Sequence, residues 1–360
     1  MNLPRITILA TLLLTGPAAA QLQITPPATT PSPPAEKQKP KAPPPAKKKE
    51  AAPAPKPSAS PKPTASPKPQ LPATVIPAPP ADTPGVDLVF GAYQRGQYKT
   101  AFDLATARAQ AGDPKAMTML GELYSNAMGI RRDYAKALEW YKRAADAGDR
   151  EAMFALAMLR ISGRGGPVDK GDAVKLMASA AKLGEPKAAY NLALLYLDGQ
   201  TLPQDVKRAA ELLRQAADAG LPEAQYALAT FYKEGTGVPK DPERAVRLLQ
   251  AASLADNVDA EVEYAIAMFN GTGTPKNQPA AVALLRKASR QGSAIAQNRL
   301  AWVLINGMGV PADKIEGFKW HLVAKTAGKG DPDLDKQLSD LPAEDRAKVE
   351  AAARKWLGTK

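Results

Sequence analysis

Cysteine is absent from the 360-residue chain, and histidine occurs once, as His321. The lack of cysteine excludes disulfides, a thiol nucleophile and a lipidated cysteine. A zinc site would need mostly carboxylate ligands, and a Ser–His–Asp triad would depend on His321 alone. In the repeats described below, the helical phase of this histidine is otherwise mostly apolar, so we expect it to pack in the core. The sequence therefore favours a protein that is not an enzyme and that needs no cofactor or metal.

Long apolar runs are also scarce. Arg5 precedes a short apolar core, Ile6–Thr15, and small residues follow it at 18–20. This order is typical of a secretory signal over residues 1–20, cleaved between Ala20 and Gln21. The alternative is a retained membrane anchor, but a span needs about 20 apolar residues. We expect an exported protein, periplasmic or secreted, with no transmembrane segment in the mature chain.

Residues 21–85 have a composition that disfavours folding. They contain much of the chain's proline, and nine lysines face only three acidic residues. Such a stretch buries little apolar surface, so we predict a disordered linker with extended polyproline II character. It would act either as a self-repelling spacer or as a weak contact with anionic cell wall or lipid head groups. Nucleic acid is disfavoured as a partner because no aromatic residues alternate with the lysines.

A regular spacing organises the rest of the chain. Seven positions stand 36 residues apart without interruption: Gly112, Gly148, Gly184, Gly220, Asp256, Gly292 and Gly328. Each follows an apolar, mostly alanine-rich segment and precedes a residue suited to a helix N-terminus. Glycine at such positions commonly ends a helix in the left-handed conformation. The spacing predicts a helical repeat with a tight turn at each of these positions.

A second series with the same step marks another helix in each unit. Its members can all act as N-caps: Asp133, Asp169, Asp205, Asp241, Asn277 and Asp313. Each unit is therefore predicted to contain helix A, a loop, helix B and a turn. The Gly-x-Gly sequences of the loops recur with the units, so turn geometry explains them better than phosphate binding does.

The residues of these units resemble the Sel1-like repeat, a relative of the tetratricopeptide repeat. The stretch Tyr226–Asp241, YALATFYKEGTGVPKD, carries the pattern most fully. The resemblance covers residues 86–330, with local departures at Ala127, Arg160 and Thr201. It implies an all-α, right-handed α-solenoid of about six 36-residue helix-turn-helix repeats. An abbreviated unit would precede them, and capping helices would follow over 331–360.

The resemblance also suggests where a partner would bind. By analogy with the tetratricopeptide repeat, helix A would line a concave face, and apolar side chains there would suit an extended peptide or an amphipathic helix. The alternative for each of them is core packing. The candidates are Phe154, Met158, Tyr190, Leu194, Tyr226, Ile266, Phe269 and Trp302.

The sequence leads to an expected function and two alternatives. We expect a non-enzymatic scaffold or adaptor of the bacterial periplasm or cell envelope that binds a protein or peptide. The first alternative is a protein that binds an envelope polymer, either peptidoglycan or an anionic polysaccharide. The second is a hydrolase of peptidoglycan or β-lactams, an activity attributed to some proteins with this repeat, although the chain shows no clustered titratable residues.

Overall fold

The computed structural model describes residues 87–358, which form sixteen helices and no strand. The predicted signal peptide, its cleavage site at Ala20–Gln21 and the linker over 21–85 lie outside the described residues. The helices are α1 (Leu88–Gln94), α2 (Tyr98–Gln110), α3 (Pro114–Asn126), α4 (Tyr134–Asp146), α5 (Arg150–Ser162), α6 (Lys170–Lys182), α7 (Pro186–Asp198), α8 (Val206–Asp218), α9 (Pro222–Glu234), α10 (Pro242–Leu254), α11 (Val258–Asn270), α12 (Gln278–Arg290), α13 (Ala294–Ile305), α14 (Lys314–Thr326), α15 (Pro332–Ser339) and α16 (Ala343–Gly358).

Helices α3 to α14 form six A–B pairs, and the odd-numbered member of each pair is helix A. Each helix packs mainly on the helix before it and the helix after it. The short helix α1 and the longer α2 precede the first full unit, as predicted. The all-α solenoid predicted from the spacing is confirmed. Within 87–358, no helix is both long enough and apolar enough to cross a membrane.

The turn from helix B to the next helix A joins two caps. Gly148 has φ of 89°, and its N–H donates to the Ala145 carbonyl at 2.9 Å. The next residue, Asp149, donates its N–H to the Ala144 carbonyl at 3.0 Å, which completes a Schellman motif. The Asp149 carboxylate then accepts from the Ala152 N–H at 2.7 Å and caps α5. Asp149 thus takes part both in the end of α4 and in the start of α5, and this double role fixes the length of the turn.

The loop from helix A to helix B lies against the preceding unit. A Cβ placed on Gly237 would lie 2.8 Å from the carbonyl oxygen of Val206, the first residue of α8. φ of Gly237 is also positive, so both the lack of space for a Cβ and the backbone conformation favour glycine at this position. Thr201 occupies the equivalent position in another unit, and its φ is not positive. The loop that contains Thr201 therefore departs from the common conformation, as its sequence suggested.

Helices A and B within a unit pack small residues against large ones. In the first unit, the ring of Tyr141 would lie 2.6 Å from a Cβ added to Gly121. The third unit has the pair Ala193 and Leu213 at the same two phases, and both are buried. In the first unit, the larger Tyr141 is thus accommodated by the smaller Gly121 opposite it, which preserves close packing.

Helices α15 and α16 follow the last unit, over the stretch predicted to cap the repeats. The Trp320 and Trp356 rings meet edge to face at 4.9 Å, and Val349 of α16 is buried. His321 is fully buried, as expected, and its Nε2 lies 2.8 Å from Asp335 Oδ1 in α15. These contacts attach α15 and α16 to α14, which would otherwise present an uncovered apolar side.

Candidate partner-binding surface

The A helices of consecutive units lie side by side and share a row of polar contacts. Tyr93 in α1 donates to Glu122 Oε1 in α3 at 2.7 Å. Further along, Lys233 Nζ in α9 lies 3.0 Å from Glu263 Oε2 in α11. We call this surface the A face and define it by two phases of helix A. They are Thr118, Phe154, Tyr190, Tyr226, Val262 and Asn298, and the residues four positions later, Glu122, Met158, Leu194, Thr230, Ile266 and Trp302.

Four of the predicted surface residues lie together in the middle of the A face. Phe154 and Met158 belong to α5, Tyr190 to α7 and Tyr226 to α9. Each is half-buried and packs against the core with part of its side chain, while the remainder is accessible. We call these four residues the central patch. An accessible aromatic row fixed by core contacts can bind an apolar segment with little loss of side-chain entropy.

Three other candidates are buried, which corrects their assignment to an accessible surface. Leu194, Ile266 and Phe269 are 6%, 7% and 5% exposed, respectively. These three side chains pack in the core, which is the alternative considered for them above. A partner that binds without moving the backbone could contact little of these three side chains.

Trp302 is half-buried and tied to the helix that follows the repeats. Its indole Nε1 donates to Asp331 Oδ2 at 2.8 Å, and Asp331 also caps α15. Trp302 therefore helps to hold α15 on the last unit, and it belongs to the end of the A face rather than to the central patch.

Acidic side chains border the two tyrosines of the central patch. Burial raises the pKa of the Tyr190 phenol, and the charge of Glu223 adds to this effect. Burial likewise raises the pKa of Tyr226, where Glu263 and Asp259 contribute further. Both phenols stay neutral at physiological pH and can donate a hydrogen bond. The patch thus combines apolar rings, hydroxyl donors and nearby negative charge.

A cleft of about 290 Å³ lies at the N-terminal end of the described helices, and its lining was not predicted from the sequence. Glu122, Asp149 and Glu151 contribute to its walls, and Phe90, which is 48% exposed, forms an apolar part. The Thr118 hydroxyl in α3 lies 3.1 Å from Oδ1 of Asp149, the N-cap of α5. In the sequence, the sign of this cleft is an N-cap aspartate followed by an acidic residue in the first helical turn. That pattern by itself indicates only helix capping.

The loop residues considered for chemistry have structural roles. The second-series residues cap their helices; for example, Asp205 Oδ1 accepts from the Arg208 N–H at 2.9 Å. Residues 87–358 contain no group of three or more histidine, cysteine or acidic residues placed to hold a metal ion. The arrangement described above is suited to binding through packing and hydrogen bonds.

Comparison with solved structures supports the architecture. A protective antigen present in uropathogenic Escherichia coli strains, with an SLR fold, matches at 26% identity and a TM-score of 0.63. That match covers 75% of this chain and 59% of the other, so this chain spans less than two thirds of that relative. A Sel1 repeat protein from Oxalobacter formigenes matches at 24% identity and a TM-score of 0.56, over 66% of this chain and 94% of that one. No curated protein matches the sequence.

The repeat units themselves match a known family. The family model described as Sel1 repeat matches six consecutive stretches, which together make up more than half of the chain: residues 114–149, 150–185, 186–221, 222–257, 258–293 and 294–329. Sel1 repeat proteins generally mediate protein–protein interactions. The matched stretches begin at helix A and end at the turn after helix B, as the units in the structure do. This chain therefore belongs to the Sel1 repeat family.

Proposed function

We propose that this protein is a non-enzymatic scaffold that binds a peptide or protein segment on its A face, with the central patch as the main contact. Phe154, Met158, Tyr190 and Tyr226 supply a row of partly accessible apolar side chains across three successive units. Aromatic side chains held in place by a core are well suited to anchor a partner.

The observation that carries this proposal is the combination of half-burial and repetition. Phe154, Tyr190 and Tyr226 occupy one phase at intervals of 36 residues, and each packs against the core while remaining partly accessible. Glu223 and Asp259 near the two tyrosines favour a partner segment that also carries lysine or arginine, whereas Glu263 is already paired with Lys233. Such a segment would place apolar side chains on the rings and its cations at the rim.

Site-specific photo-crosslinking in intact cells tests the proposal. A benzoylphenylalanine placed at Met158 or Tyr226 should give a discrete crosslinked protein. The matched control is Glu211 on helix α8, a helix B position whose side chain is 62% exposed. If the control position yields the same adducts with equal efficiency, or if neither A-face position yields any, the A face is not the binding surface.

A second variant separates the hydroxyl from the ring. Tyr190→Phe keeps the ring and its packing but removes the phenolic donor. Once the crosslinked partner is known, its affinity should fall by about 2- to 10-fold if the hydroxyl donates to it, because a typical hydrogen bond contributes about 0.5–1.5 kcal/mol. An unchanged affinity together with crosslinking at Tyr226 would limit the contact to apolar packing.

The proposed place of action is the bacterial periplasm or cell envelope. This rests on the signal-like residues 1–20, and the basic linker over 21–85 would give the scaffold reach or a weak electrostatic contact with the cell wall. Fractionation of cells that produce the full chain should recover a shortened protein, beginning at Gln21, in the envelope fraction. Recovery of the uncleaved chain in the cytoplasm would refute this placement.

A further inference from the structure

Two arginines from successive B helices meet at one tyrosine. Tyr232 lies near the end of α9 and is 5% exposed. Its hydroxyl oxygen accepts from Arg214 Nη2 of α8 and from Arg244 Nη1 of α10, each at 3.4 Å. The two nitrogens are therefore at most 6.8 Å apart, the sum of those distances. Two guanidinium groups thus converge on one hydroxyl between the third and fourth units, and within residues 87–358 nothing accepts the proton of that hydroxyl.

The positive charge at this junction is not fully neutralised. Arg244 Nε lies 3.1 Å from Asp241 Oδ2, so one of the two guanidinium groups has a carboxylate partner. Arg214 has none, because it forms no ion pair with any residue of the described range 87–358. Glu211, one turn earlier on α8, is instead paired with Arg208 at 2.7 Å. Arg214 can therefore bind an added anion without breaking an existing ion pair.

The equivalent junction two units later shows which group can occupy this place. Arg286 of α12 stands at the phase of Arg214, and Glu316 of α14 stands at the phase of Arg244. Arg286 Nη1 lies 2.6 Å from each carboxylate oxygen of Glu316. A carboxylate thus joins the two B helices between the fifth and sixth units, whereas a second guanidinium replaces it between the third and fourth.

The second basic residue near that carboxylate also has a counterpart in the fourth unit. Lys319 Nζ lies 3.8 Å from Glu316 Oε1, and Arg247 occupies the phase of Lys319. The other three junctions do not combine two arginines; their residues at the two phases are Lys142 and Asp172, Ala178 and Arg208, and Gln250 and Ala280. The junction of the third and fourth units therefore carries the cations of a carboxylate site but no carboxylate at the phase of Glu316.

We propose that Arg214, Arg244 and the Tyr232 hydroxyl bind the carboxylate of a glutamate or aspartate side chain of a partner protein. With N–H···O distances of about 2.8 Å at each end, one carboxylate can bridge the two guanidinium groups. The pairing of Arg286 with Glu316 favours a carboxylate as the anion. Both arginines of the site are exposed, which suits a side chain presented by another protein. This carboxylate site shares no residue with the A face.

NMR of the purified full chain, isotope-labelled at arginine, tests the carboxylate site. Residues 21–85 contain no arginine, so the basic linker adds no signal. The probe is glutamate blocked at both ends by acetyl and amide groups, and blocked glutamine is its neutral control. Blocked glutamate should shift the Nε–H signals of Arg214 and Arg244. Arg214→Gln should weaken binding, followed at Arg244, about fivefold, whereas Arg290→Gln, which removes an exposed arginine of α12, should change it by less than about twofold.

A second variant fills the site from within the chain. Arg244→Glu copies the residue types of Asp313 and Glu316 at the start of α14, so it should raise the melting temperature by about 1–2 °C and abolish the response of Arg214 to blocked glutamate. In the Arg214→Gln background, this gain in melting temperature should disappear. Shifts at Arg290 as large as those at Arg214, equal responses to blocked glutamate and glutamine, tighter binding of inorganic phosphate than of blocked glutamate, or an unchanged gain in the Arg214→Gln background would each overturn the proposal.

Discussion

A single carboxylate is buried between the fourth and fifth units, and replacing it should stabilise the protein. Glu261 in α11 is fully buried, and its Oε1 accepts no hydrogen bond. Lys287 Nζ lies 2.8 Å from Oε2, while the lysine itself remains partly exposed and also lies 3.3 Å from Asp256. The Coulombic attraction to Lys287 offsets only part of the cost of removing the charge of Glu261 from water.

The neighbouring units show what this position otherwise contains. Gln225 and Gln297 occupy the same phase, and each donates its side-chain N–H to a carbonyl near the end of the preceding helix B, at 3.3 and 3.0 Å. The equivalent carbonyl for residue 261 is that of Ser253. Glu261→Gln would supply this hydrogen bond, worth about 0.5–1.5 kcal/mol, and would remove a buried charge. Lys287 would keep Asp256 and water as partners.

We expect Glu261→Gln to raise the free energy of unfolding by about 1–2 kcal/mol at pH 7. Thermal unfolding followed by circular dichroism should show a melting temperature higher by roughly 2–6 °C. The reverse change, Gln297→Glu, is the matched control. Residue 323, the repeat equivalent of Lys287, is valine, so the new carboxylate would have no lysine at that phase, and we expect a loss of about 2–4 kcal/mol. A lower melting temperature for Glu261→Gln would show that the contact with Lys287 outweighs the cost of burial.

Three further predictions concern packing, turns and pH. Gly121→Ala should lower the free energy of unfolding by about 1–3 kcal/mol, because the added methyl group would clash with Tyr141. In a double-mutant cycle, adding Tyr141→Leu should recover part of this loss, since the double variant recreates an Ala–Leu pair found in other units. Gly220→Ala should cost about 1 kcal/mol, because φ is 85° but the space beside it is open, whereas Gly237→Ala should cost more because its Cβ would also meet a backbone carbonyl; chemical denaturation compares them. Hydrogen bonds from Lys325 and His321 lower the pKa of Asp335, so its stabilisation is complete above the ordinary value of 3.8 and is lost as the pH falls through the lower folded pKa. Asp335→Asn should therefore lower the melting temperature at pH 7 and have little effect at pH 2.

The sequence predicts the repeat well because the signals that end and begin each helix are local. Gly148 and Asp149 determine a turn through their own backbone geometry and hydrogen bonds, and no distant contact is needed to recognise them. Asp256 shows that the signal tolerates substitution, since it adopts φ of 58° where the other units have glycine. The interval of 36 residues then fixes how the units succeed one another.

The accessible surface is harder to predict because burial depends on neighbouring units. Tyr190 and Leu194 are one helical turn apart in α7, yet the first is half-buried and the second is buried. Periodicity places both on the same side of a helix, but it does not show how far the next unit covers them. Ile266 and Phe269 are buried for the same reason, and only the packed structure distinguishes them from the central patch.

The burial of Glu261 was not predicted from the sequence, because a glutamate in a helical pattern is ordinarily exposed to solvent. In a repeat protein, the residues that maintain the fold tend to recur in every unit. Phe154, Tyr190 and Tyr226 occupy one phase in three of the six units, and the remaining units have Thr118, Val262 and Asn298 there, so the aromatic row is confined to the middle of the repeats. The aromatic character of the central patch is therefore a property of these three units and not of the repeat as a whole, which favours a role in binding over a role in maintaining the fold.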